Sequence, residues 1–117
     1  MGDHIRQRRN VLGLSQRKAA PLLGVDRATV WRWEVTGFDP EPRFLPTINA
    51  FLGYDPYPPP VGYPDRLLAI RRKKGWNVLQ AAARLGADYK TWVRWEQGVT
   101  APRGVLKKLV ESLLAEP

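Results

Sequence analysis

The chain contains no cysteine, one histidine and one methionine among 117 residues. Without cysteine there is no disulfide framework, no thiolate nucleophile and no zinc knuckle. Clusters for metal ligation, nucleophilic chemistry or paired-carboxylate chemistry are missing too, as is a glycine-rich phosphate loop, so no catalysis, metal or cofactor is expected. The lone His4, near the N-terminus, is expected to be solvated. No apolar run approaches the ~20 residues of a membrane span, and no signal peptide precedes the first basic segment. A cytoplasmic location without a membrane partner is therefore expected. No stretch alternates polar and apolar residues as a half-buried strand does.

What is present is a balanced folding composition, with 44% apolar and 26% charged residues. The net charge is +8 and unevenly spread. Residues 1–62 hold eight basic and six acidic side chains, a net of +2, and residues 63–117 hold eleven and five, a net of +6. Such an excess points to a polyanionic partner, nucleic acid before membrane, because no basic amphipathic stretch carries a clean apolar face for lipid.

Sliding the sequence against itself by 62 residues aligns two copies without a gap. VLGLSQRKAAPLLGVDRATVWRWE (11–34) falls on KKGWNVLQAAARLGADYKTWVRWE (73–96). Arg9/Arg71, Gly13/Gly75, Ala19/Ala81, Ala20/Ala82, Gly24/Gly86, Asp26/Asp88 and Thr29/Thr91 are identical, as are Arg32-Trp33-Glu34 and Arg94-Trp95-Glu96. The chain therefore reads as a first domain (1–53), a proline-rich linker (54–64) and a second domain (65–117). Units this small bury only about 60% of their unfolded surface and are marginal alone. The linker, YDPYPPPVGYP, either runs extended over roughly 34 Å at ~3.1 Å per residue or folds back with its tyrosines packed between the domains.

Each copy reads as helices. Asp3 and Asp65 suit an N-cap, with Gly13 and Gly75 as left-handed C-caps. Ser15 and Asn77 cap a second helix, Asn77 with Gln80 in a capping-box pattern. That helix ends at Gly24 or Gly86, and Asp26 or Asp88 caps a third helix running through the Trp-Glu pair. A Pro-containing loop and a last apolar stretch, about 44–52 and 104–114, close each unit. The expected fold is all-α, with four to five helices in each domain.

A helix, a three-residue turn containing glycine and a second helix is the helix-turn-helix arrangement. SQRKAAPLLGVDRATVWRWE resembles the lambda-repressor/Cro-like (XRE-type) family, whose pattern is roughly Leu-Ser-Gln, Leu-Ala, Leu-Gly-Val-Ser and later Trp-Glu-x-Gly. The resemblance covers about 3–52 and 65–114. The second copy departs from it where Ser15-Gln16 becomes Asn77-Val78 and Arg17-Lys18 becomes Leu79-Gln80. The resemblance implies two tandem domains that bind double-stranded DNA and regulate transcription, as a repressor acting at the nucleoid of a bacterial or phage-infected cell.

It also implies that the third helix of one or both copies lies in the major groove. The implied reading residues are Arg27, Ala28, Thr29, Trp31 and Arg32 in the first copy and Tyr89, Lys90, Thr91, Val93 and Arg94 in the second. Gln16 corresponds to the family residue that meets phosphate and the first base, with Arg17 and Lys18 as phosphate partners. Val30, Trp33, Trp92 and Trp95 follow helical spacing and are assigned to the core. Trp31 fits either DNA contact or an inter-domain or dimer contact. Arg9 with Glu34, and Arg71 with Glu96, match the family's internal ion pair. Arg71-Arg72-Lys73-Lys74 fits a phosphate clamp or a complement to the helix dipole. A competing expectation is an antitoxin-like or adaptor protein whose helical surface binds a protein partner, and a homodimer is compatible with either.

Overall fold

The computed structural model describes residues 1–117, and the fold is all-α: eight helices and one short 3-10 turn, with no strand. The chain divides into two compact units, Met1–Pro58 and Pro59–Pro117. In the first, α1 spans Gly2–Val11, α2 Gln16–Leu23, α3 Arg27–Thr36 and α4 Leu45–Leu52, with the 3-10 turn Pro42–Phe44 leading into α4. In the second, α5 spans Tyr63–Lys74, α6 Val78–Arg84, α7 Tyr89–Glu96 and α8 Gly104–Leu114. The helix pairs α2/α6 and α3/α7 open at residues 62 apart, in register with the repeat.

The same offset relates the two cores. Ile5, Ala19, Ala20, Leu23, Val30, Trp33 and Ile48 are buried in the first unit, and Leu67, Ala81, Ala82, Leu85, Trp92, Trp95 and Val110 in the second. Bulk is redistributed between them. The Trp33 ring stacks edge-on against Phe44 at 5.6 Å, whereas Trp95 packs on Trp92 at 5.8 Å. Val30 and Phe44 in one unit become Trp92 and Leu106 in the other, so the aromatic partner moves from the start of the last helix to the third helix.

Two helix starts differ from expectation. Asp3 and Asp65 lie inside the first turns of α1 and α5 rather than capping them. The Met1 carbonyl accepts the His4 and Ile5 amides at 3.1 and 3.2 Å, and the Gly62 carbonyl accepts that of Arg66 at 2.9 Å. Pro64 falls in the first turn of α5, where its missing N–H costs no helical bond. Met1 and Tyr63 pack against their cores, which draws each helix start upstream, and the two carboxylates still sit at the positive end of the helix.

His4 also departs from expectation. Its side chain is half-buried, with Nδ1 2.7 Å from the Tyr54 hydroxyl and the two rings edge-on at 5.7 Å. The first residues of the proline-rich segment explain this by folding onto the first unit: Tyr54 meets α1, and Tyr57 packs on the first core.

Candidate nucleic-acid interface

The α2–α3 and α6–α7 corners are built alike. Small residues on the buried face, Ala19 and Ala20 or Ala81 and Ala82, let the helices approach closely. The turn needs a left-handed residue, supplied by Gly24 (φ 71°) and Gly86 (φ 70°), a region that side chains other than glycine's rarely occupy. After it the Val25 amide returns to the Ala20 carbonyl at 3.1 Å, and the Ala87 amide to that of Ala82 at 2.9 Å. This closes α2 and α6 and aims the next helix.

Asp26 and Asp88 start that helix. Asp26 Oδ1 accepts the Thr29 amide at 2.8 Å and the Thr29 hydroxyl at 2.7 Å, while Asp88 Oδ1 accepts the Thr91 amide at 2.8 Å. The Thr29 hydroxyl first and its amide second hold the Asp26 carboxyl below its ordinary range. For Asp88 the Thr91 amide is the larger cause and its hydroxyl the next. Thr29 and Thr91 are half-buried. They spend polar groups on the cap, which makes them supports for the helix start rather than free reading groups.

Most of the remaining residues expected to read DNA face solvent. Arg27, Ala28, Trp31 and Arg32 are exposed on α3, and Tyr89, Lys90 and Arg94 on α7, while Val93 is half-buried. Arg17 and Lys18 are exposed on the first turn of α2. Arg17 and Arg27 line one open concavity with Arg9, Ser15 and Gln16, so the N-terminal ends of α2 and α3 share a basic recess. Helix N-termini carry unpaired amides and partial positive charge, which favours anions there.

Gln16 has a second attachment. Its amide nitrogen donates to Glu34 Oε1 at 3.3 Å. The Glu34 side chain is 1% exposed and takes a two-pronged interaction from Arg9, with Nε 2.9 Å from Oε2 and Nη2 2.8 Å from Oε1. Arg6 stands 3.5 Å away and donates to the Glu34 main-chain carbonyl at 2.8 Å. Burial opposes the charge of Glu34, yet the donors Arg9, Gln16 and Arg6 together hold its carboxyl below the usual range. The Arg9 guanidinium is held charged more firmly than usual, chiefly by its hydrogen bond to Glu34.

In the second unit Arg71 forks Glu96 in the same way, at 2.7 and 3.1 Å. Val78 replaces Gln16 and offers no donor there, and the indole N–H of Trp92 hydrogen-bonds Glu96 instead. The Val30 to Trp92 exchange thus supplies the missing donor.

The basic run at the end of α5 is divided between uses. Arg71 belongs to the Glu96 pair, and Lys74 Nζ lies 2.8 Å from Glu116 Oε2. Lys73 is exposed. The run is therefore not a four-residue clamp open to phosphate.

Other cations were missed from sequence. Arg43 lines a second concavity with Thr29, Arg32 and Phe44; its guanidinium sits over the Phe44 ring at 4.6 Å and 3.1 Å from Glu41. A lone arginine in a proline-flanked loop has no periodicity to reveal it. Arg103, Lys107 and Lys108 are exposed at and beyond the start of α8. Their signal is the +6 charge of residues 63–117, which composition alone places on no particular helix. An apolar stripe also lies open: Trp31, Val35 and Phe38 are 50%, 54% and 67% exposed. No three His, Asp or Glu side chains are grouped to hold a metal ion, and no helix is long and apolar enough to cross a membrane. No family model, characterised protein or solved structure matches the chain.

Proposed function

We propose that the chain is a sequence-specific double-stranded DNA-binding regulator of transcription of the lambda-repressor/Cro-like kind, acting as a repressor through two unlike helix-turn-helix units. The observation that carries this reading is the repeated outward face of the third helix. It presents Arg27 and Arg32 in one unit and Lys90 and Arg94 in the other. Asp26 and Asp88 on the starts of these helices are committed to caps, and Glu34 and Glu96 near their ends to internal ion pairs. Arg and Lys pair with guanine O6 and N7 in the major groove. The basic recess at the α2 and α3 N-termini suits a phosphate, which sets register without reading sequence. Because the two third helices differ, the preferred operator has unlike halves.

Selection from random duplex DNA at ~150 mM salt tests this reading, since nonspecific attraction is weak there. The expected result is an enriched motif with two unlike parts, and no enrichment would overturn it. The second reading, a protein partner, draws on the exposed Val35 and Phe38. A stoichiometric protein retained by the chain together with an empty DNA selection would favour it.

A further inference from the structure

The outward face of α3 is basic in charge but apolar in relief. Arg27, Ala28 and Trp31, with Asp26 at the edge, line an open concavity whose surface is almost wholly apolar. Trp31 is 50% exposed, an unusual state for the largest apolar side chain, and it is not among the buried core residues. Asp26 keeps its negative charge at the edge of the recess, its Oδ1 turned to the Thr29 amide and hydroxyl. Arg17, which shares the adjoining concavity with Arg27, and Arg32, next to Trp31 on the same helix, are exposed cations that draw a polyanion toward it.

A duplex offers one apolar group in its major groove, the 5-methyl of thymine. Resting on the DNA-binding reading above, we propose that Ala28 and Trp31 form a seat for a thymine 5-methyl group. Arg27 stands at the lip of that seat and pairs with the neighbouring base. The ring of Trp31 and the methyl of Ala28 shed water against the thymine methyl, and the guanidinium of Arg27 supplies the polar contact that fixes register. The second unit lacks this pairing of residue types, since Ala28 becomes Lys90 and Trp31 becomes the half-buried Val93. Methyl reading is therefore a property of the first unit's half of the operator.

The test replaces each thymine of the selected duplex in turn by deoxyuridine, which lacks only the methyl, and measures binding of the full chain at ~150 mM salt. One position in one half of the site should lose about fourfold in affinity, the effect of one buried carbon. A cytosine at that position should bind more weakly than 5-methylcytosine, which separates the methyl from the thymine carbonyl as the feature being read. Trp31→Ala should bind the thymine and deoxyuridine duplexes equally, with an unchanged salt dependence. Because Trp31 stands outside the core, its helical circular dichroism should match the parent's. Deoxyuridine duplexes that all bind within twofold of the parent would overturn the methyl seat while leaving DNA reading intact. So would methyl discrimination that survives in Trp31→Ala. Absence of any preferred duplex would instead remove the DNA-reading proposal on which the seat rests.

Discussion

The two units hold an equivalent carboxylate in equivalent places by different means. Glu34 is sealed, its side chain 1% exposed, with Arg9, Gln16 and Arg6 as donors. Glu96 is 14% exposed and relies on Arg71 and the Trp92 indole. A duplicated unit can thus lose the helix-start glutamine, provided the third helix supplies another donor. What must persist is a satisfied buried carboxylate, not any one partner. The exchange also changes what each unit shows to solvent. The first keeps a polar side chain at the start of α2, facing the basic recess, and the second has valine there.

Breaking the carboxylate pair should have the largest effect. Arg9→Leu strands a buried charge and should cost about 3–5 kcal/mol. Arg71→Leu should cost less, because Glu96 retains water access on its exposed side. Native-state hydrogen exchange, read separately on α1–α4 and α5–α8, would rank them. Equal losses would mean that burial does not set the difference. The pH dependence follows with a definite sign. Glu34 has a lowered carboxyl pKa in the folded unit, so its contribution is present above the ordinary glutamate range and lost as pH falls through the folded value. Glu34→Gln should flatten acid unfolding of the first unit over that window, and an unchanged acid limb would contradict it.

Next in size is Gln16→Val, which copies the second unit into the first. Removing one of several donors to Glu34 should cost about 1 kcal/mol. The reciprocal Val78→Gln should gain little, because Trp92 already occupies Glu96. A loss of DNA affinity with no loss of stability in Gln16→Val would assign Gln16 wholly to the ligand.

Most of the architecture was legible because the repeat reports on itself. Ser15, Asn77, Asp26 and Asp88 act through hydrogen bonds to residues three positions on, and such local chemistry is visible in a string of letters. The starts of α1 and α5 are not legible in this way, for the opposite reason. Met1 and Tyr63 extend those helices by packing against residues distant in sequence, and main-chain carbonyls do the capping. The Tyr54 contact of His4 and the Trp92 contact of Glu96 depend on where a loop or ring lands in space. For the candidate site, the cationic positions on α3 and α7 were implied by the resemblance to the lambda-repressor/Cro-like family. The diversion of Thr29 and Thr91 into caps required distances.

The smallest contrast is between helix starts. Asn77 forms a reciprocal box with Gln80, whereas Ser15 has only the Lys18 amide. Asn77→Ala should cost about 1 kcal/mol and Ser15→Ala somewhat less. The reverse order by chemical denaturation would show that the box adds nothing here.

Whether both units read DNA is tested most directly by two double variants, Arg27→Ala with Arg32→Ala and Lys90→Ala with Arg94→Ala, on the duplex selected by the parent chain. If both third helices read bases, each pair loses at least tenfold in affinity, given about 1–3 kcal/mol for each bidentate base contact. Each pair should also relax preference in a different half of the site. Loss confined to the first pair, with the second binding like the parent, would contradict a two-reader chain and leave the second unit without a role in reading.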